Sequence, residues 1–235
     1  CLRAAENGSC QAMDTVGGYY YRGTGVGIDW DKAYEWFKKA ANEGYANAMA
    51  SLGWCYCDGV GVPKDMQKGI EWCQKAIERG SPDGMITMGG CYMDGEGVSK
   101  DEKKAFEWYM KAANSGSPEG KLRIALCYIK GKGVPKDEKK GLELLMKEAD
   151  NGDDDAMDLI GWCYENGYGV EKDEKKSFEW YQEAMDNGCA TGMKHVGECF
   201  IDGKGVEKDQ KKGFDYFMMA VESGCIGAMV NVADC

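Results

Sequence analysis

The chain has 235 residues and 43% hydrophobic content, enough for one large domain or two small ones with a substantial core. Its net charge of −11 argues against nucleic acid, whose phosphates call for clustered lysine and arginine, and against an anionic membrane surface. No apolar run approaches the roughly 18 residues of a membrane span, so membrane insertion is not expected.

The N-terminal CLRAAENG has no initiator methionine, basic segment or apolar segment of a signal peptide, and it reads as the tail of one structural unit. From there the same features return every 36 residues. A G-x-G-V turn begins at Gly23, Gly59, Gly95, Gly131, Gly167 and Gly203, and a second glycine column falls at Gly8, Gly44, Gly80, Gly116, Gly152, Gly188 and Gly224. The predicted units are 9–44, 45–80, 81–116, 117–152, 153–188 and 189–224, with 1–8 ending an earlier copy and 225–235 starting a later one. One array of about six and a half copies therefore fills 1–235. Because it breaks mid-repeat at both ends, a fragment of a longer protein is expected.

Each unit reads as two helices. In the first, exemplified by 46–58, small or apolar residues recur at the columns of Ala48, Met49, Leu52, Gly53, Cys55 and Tyr56, which share one arc of the helical wheel. A glycine in mid-helix at the Gly53 column lowers helix propensity, and close approach of a second helix explains it. After the turn comes an aspartate (Asp29, Asp65, Asp101, Asp137, Asp173, Asp209) placed to cap the second helix. That helix carries a tryptophan–aromatic pair, as in Trp36-Phe37 and Trp180-Tyr181. Its outer face has glutamate-to-lysine pairs four apart, Glu35–Lys39, Glu71–Lys75, Glu107–Lys111 and Glu143–Lys147, expected to form ion pairs. Gly44 and its equivalents then end the helix in a left-handed cap. The predicted fold is all-α, a right-handed α-solenoid of stacked antiparallel helix pairs.

The pattern A-M-x-x-L-G-x-x-Y-x-x-G-x-G-V-x-K-D-x-x-K-A-x-x-W-x-x-K-A-A-x-x-G occurs in full or in part in all six copies. On these residues the chain resembles the Sel1-like repeat family, relatives of tetratricopeptide arrays. The resemblance covers essentially the whole chain and implies adaptor or scaffold roles, while leaving any one function open.

Candidate chemistry fails on spacing. Gly116-Ser117-Pro118-Glu119-Gly120-Lys121 is the nearest sequence to a phosphate loop, but its glycines are wrongly spaced and Leu122 follows the lysine. One histidine excludes a two-histidine zinc motif, and no serine has a lysine three residues on. No catalytic residue, metal or cofactor is expected. Among the twelve cysteines, Cys55, Cys91, Cys127, Cys163, Cys199 and Cys235 form one column. Stacked helices lie about 8–10 Å apart and a disulfide needs Cα atoms within about 7 Å, so these read as small buried hydrophobes. Cys57 is expected on the other side of the helix from Cys55, and Cys73 and Cys1 in the aromatic's core column. Secreted members of the family with a disulfide in each repeat use a spacing absent here. Free thiols and a reducing, cytoplasmic compartment are favoured over secretion.

Positions that differ between copies are free of the duty of stacking. On the first helix these are the columns of Asn47, Ala50, Ser51, Trp54, Cys57 and Asp58, opposite the recurring arc. Resemblance to tetratricopeptide arrays implies that this face lines a concave, solvent-accessible surface. The residues expected to bind a partner there are Tyr21, Arg22, Trp54, Met93, Leu122, Arg123, Leu126, Ile129, Trp162, Glu165, His195 and Glu198. The leading reading is a non-enzymatic scaffold gripping a peptide or protein surface, of unknown oligomeric state. Two alternatives stand beside it: a repeat arm of a larger signalling or enzymatic protein, and a secreted cysteine-rich hydrolase of β-lactamase type.

Overall fold

The computed structural model describes residues 1–233. Cys235, the last member of the cysteine column, and the end of the 225–235 segment lie outside the described residues. Among the described residues there are fourteen helices and no strand. Contacts group them into two units: Cys1–Ile124 with Lys132–Val134, and Ala125–Gly131 with Pro135 onward.

Unit 1 holds α1 (Leu2–Glu6), α2 (Cys10–Arg22), α3 (Trp30–Asn42), α4 (Ala46–Asp58), α5 (Met66–Glu78), α6 (Pro82–Asp94) and α7 (Glu102–Asn114). Helix α8 (Pro118–Lys130) is divided between the units. Unit 2 continues with α9 (Glu138–Asp150), α10 (Asp154–Asn166), α11 (Glu174–Asp186), α12 (Ala190–Asp202), α13 (Gln210–Glu222) and α14 (Ala228–Ala233). Within unit 1, α2 to α7 each pack on the next, and α4 also touches α2 and α6. In unit 2 the same holds from α9 to α14, with α10 also touching α12. This is the helix-pair stacking of an α-solenoid.

The helix boundaries follow local chemistry. The Asp29, Asp65, Asp101, Asp137, Asp173 and Asp209 side chains accept hydrogen bonds from the backbone N–H three residues on, satisfying a donor that the helix itself leaves free. At the other end of α3, the Gly44 N–H donates to the Ala41 carbonyl and the Tyr45 N–H to the Ala40 carbonyl, with Gly44 at φ +90°. That double closure is the one a left-handed glycine permits.

Two glycine columns set how closely the helices approach. A Cβ on Gly161 would lie 2.6 Å from the Tyr181 ring, so the glycine is what lets α11 lay its aromatic against α10. In the turn, a Cβ on Gly169 would meet the Glu138 carbonyl oxygen at 2.6 Å, and the residue sits at φ +73°. The G-x-G turn of one repeat is thus pressed against the start of the previous repeat's second helix.

Three expectations need correction. None of the four Glu–Lys pairs closes among the described residues. Lys39, Lys75 and Lys111 instead place their ammonium groups 4.5, 4.2 and 4.0 Å from the ring centroids of Trp36, Trp72 and Trp108. An exposed ion pair gains little against water, and a tryptophan three residues back offers both apolar stem contact and a cation–π partner. Cys57 does not face solvent: it is buried against Gly69 of α5, touching the thiols of Cys73 and Cys91. Cys1, expected in a core column, is exposed. The other described cysteines except Cys10 are buried, and all eleven described are free thiols.

Candidate functional site on the first-helix faces

In unit 1 the first helices α2, α4 and α6 bring two of the predicted residues together. Tyr21 and Trp54 meet edge to face, with ring centroids 4.7 Å apart and planes at 85°. Both are half-buried. Beside Trp54 lies a cavity of ≈ 210 Å³ lined by Ala50, Ser51, Trp54, Asp83, Ile86, Thr87 and Glu119. Ala50 and Ile86 give it apolar walls, and Asp83 and Glu119 put carboxylates on its rim. Next to it, Asp14 accepts a hydrogen bond from the Ser51 hydroxyl at 3.2 Å.

The acids of this face are only partly relieved, Asp14 by Ser51 and Arg22 and Glu119 by Arg123. Burial raises Asp14 above the ordinary carboxylate value, and the nearby Asp83 adds to the rise, outweighing the Ser51 hydrogen bond. Asp83 is exposed at the surface but crowded by the groove wall, and it is raised by that partial loss of water first and then by Glu119. Burial, followed by the charge of Asp58, also raises the Tyr21 phenol. Among the described residues no lysine or arginine stands within ion-pair distance of Asp14 or Asp83. Arg22 is exposed and lies against Gly18. Arg123 is committed to Glu119 on its own helix at 2.7 Å.

Met93, Leu122 and Ile129 correct the expectation of an accessible stripe, being 8, 5 and 0% exposed. The Cys57–Met93–Ile129 column points at the start of the same repeat's second helix. A Cβ on Gly141 would touch the Ile129 side chain at 2.5 Å, as one on Gly69 would touch Cys57. Leu122, in the column of Ala50, is buried likewise. Leu126 is half-buried.

In unit 2 the predicted residues are present but engaged. Trp162 packs on Tyr168 of its own turn at 4.6 Å, with the Lys130 ammonium 5.3 Å from its ring. Glu165 accepts hydrogen bonds from the Tyr181 hydroxyl and the Lys204 ammonium, both at 3.0 Å. Burial alone would raise Glu165, but these two bonds outweigh it and hold the carboxylate below its usual range. Burial, followed by the charge of Glu165, drives the Tyr181 hydroxyl strongly upward, so it stays a donor. His195 Nδ1 lies 2.6 Å from Asp158, and its ring packs on Tyr181 at 4.7 Å. His195 is therefore a half-buried network member, where the sequence suggested a surface residue. Glu198 is held by Lys194 and Asn231, both at 3.3 Å.

Sequence reasoning missed Asp14, Asp83, Asp158, Tyr181 and Lys204. A signal was available: Asp14–Ser51 and Asp158–His195 are both 37 residues apart, one repeat plus one position. That offset is the contact between successive first helices. Among the described residues no three or more histidine, cysteine or acidic side chains gather as a metal site, and no helix is long and apolar enough to cross a membrane.

The Sel1 repeat profile matches residues 11–45, 46–81, 82–117, 118–153, 154–189 and 190–225. Among solved structures, a Sel1 repeat protein of Oxalobacter formigenes is 35% identical over 90% of this chain and 87% of its own, with a TM-score of 0.62. A protective antigen of uropathogenic Escherichia coli displaying an SLR fold is 30% identical over 98% of this chain and 50% of its own, with a TM-score of 0.55. An immunity protein of Pseudomonas aeruginosa, 23% identical over 92% of this chain and 83% of its own, shares the fold at a TM-score of 0.69. No curated protein matches. With six consecutive repeats matched from residue 11 to 225, the chain belongs to the Sel1 repeat family.

Proposed function

We propose that this chain is a non-enzymatic interaction scaffold that holds a peptide or protein segment against the first-helix face of unit 1. One observation carries the reading: the Tyr21–Trp54 pair stands beside an open groove at positions that differ from copy to copy. Aromatic side chains flanking a cleft supply most of the burial in known anchor sites. Repeat arrays use such non-stacking positions for partners. Unit 2 offers a lesser surface, because Trp162, Glu165 and His195 are held by neighbours.

Selection from a displayed random-peptide library tests this. Enriched peptides should lose roughly tenfold or more in affinity to Trp54→Ala, the usual loss of an anchor. They should bind normally to Lys75→Ala, on the outer face of α5. No enrichment, or equal binding to a folded Trp54→Ala protein, overturns the reading.

A further inference from the structure

The groove in unit 1 sets carboxylates beside apolar walls. Its walls are apolar and aromatic, from Ala50, Ile86 and Trp54, while its rim carries Asp83 and Glu119 with Asp14 adjacent. Carboxylates set against apolar walls lose hydration, and like charges placed together repel. Both penalties act on the half-buried Asp14, which burial and then Asp83 raise against the Ser51 hydrogen bond and Arg22. Asp83 itself is exposed at the rim, so its loss of hydration is partial and the nearby Glu119 charge adds to it. Two acids on the first helices of unit 2 have close partners. Asp158, in the column of Asp14, has His195 at 2.6 Å, and Glu165 has Lys204 at 3.0 Å. On the groove rim Glu119 has Arg123 at 2.7 Å, while Asp83 has no lysine or arginine within ion-pair distance among the described residues.

We propose that this groove takes an arginine side chain of the bound segment, with its guanidinium between Trp54 and Asp83. This rests on the reading above that the unit 1 face binds a peptide segment, and it assigns the chemistry of that segment. Three properties of the guanidinium match the site. Its flat face stacks on an aromatic ring. Its fork of donors meets the Asp83 carboxylate and leaves others for the Thr87 hydroxyl. Its aliphatic stem lies along Ala50 and Ile86. The ≈ 210 Å³ of space suits one long side chain, not a folded element. A lysine fits the charge but lacks the plane and the fork, so it binds more weakly.

The test uses a fluorescein-labelled nonapeptide with a central arginine flanked by leucines, and the same peptide with citrulline or norleucine at the centre. Citrulline keeps the shape and removes the charge. In fluorescence anisotropy the arginine peptide should bind roughly tenfold or more tighter than the citrulline peptide, in line with a charge-assisted contact. Asp83→Asn should erase that preference, and Glu71→Gln on the outer face should leave it intact. Raising salt from about 0.05 to about 0.5 M should weaken the arginine peptide alone. Equal binding of arginine and citrulline peptides, or a preference that survives Asp83→Asn, overturns the assignment. Tighter binding of norleucine overturns it too, yet leaves the peptide-binding reading standing. If none of the three binds, the arginine assignment falls, and library selection judges the broader reading separately.

Discussion

The first-helix faces of the two units use the same repeat columns to opposite ends. In unit 2, Asp158 is met by His195, Glu165 by Tyr181 and Lys204, and Trp162 by Tyr168. In unit 1 the corresponding aspartate, Asp14, has the Ser51 hydroxyl and the charge of Arg22 beyond ion-pair distance, and Trp54 has the edge of Tyr21 and an open groove. Variation between copies therefore has two meanings. Some variable positions are spare surface, and others have been recruited to pair with a neighbour inside the array. Only the pairing partner, 37 residues away for the aspartates, tells them apart.

The frame common to both units should give the largest effect when broken. Gly161→Val pushes a branched side chain into the Tyr181 ring, and overpacking of this kind costs about 3 kcal/mol. Urea unfolding followed by circular dichroism should show the loss; an unchanged midpoint would mean that α10 and α11 do not approach as closely as described.

Trp162→Ala sharpens the comparison itself. It removes the contacts with Tyr168 and Lys130, so stability should fall by about 1 kcal/mol. Peptide affinity should stay within about twofold, while Trp54→Ala loses roughly tenfold. A Trp162→Ala protein that keeps its stability and loses the peptide would reverse the assignment of the two faces.

Much of the fold was legible because the period is strict. The aspartate caps, the glycine turns and the cysteine column are local or small-volume requirements, and a side chain of the wrong type has nowhere to go. The burial of Met93, Leu122 and Ile129 was not legible from the helical wheel. A first helix such as α4 is covered on three sides, by its own second helix and by the first helices before and after it, so the accessible arc is narrower than one helix suggests. Ion pairing on the outer face was misread for a different reason: Lys39, Lys75 and Lys111 had two acceptors within reach, and the tryptophan was the one that also covered the lysine stem.

The thiols should respond alike in both units, which makes them a control. Burial raises Cys55 in unit 1 and Cys163 in unit 2 to about 12, and both are inaccessible. At about pH 8 the thiolate fraction is then on the order of 10⁻⁴. Iodoacetamide on the native protein should label Cys1 and Cys10 and spare Cys55 and Cys163, as read by peptide mass spectrometry; rapid labelling of either buried residue would show that its helix pair opens.

The most direct measurement sets Asp14→Asn against His195→Ala in equilibrium unfolding near pH 7. Asp14 has a raised folded-state pKa, so its contribution is fully present below the ordinary value of 3.8 and is lost as pH rises through the folded value. Near pH 7 the ionised carboxylate therefore opposes folding, and Asp14→Asn should be neutral or stabilising, an advantage that disappears below 3.8. His195→Ala leaves Asp158 buried without its partner and should cost about 1–3 kcal/mol. Opposite signs are the result predicted for a face left unsatisfied in unit 1 and satisfied internally in unit 2. Equal destabilisation by both substitutions would contradict it.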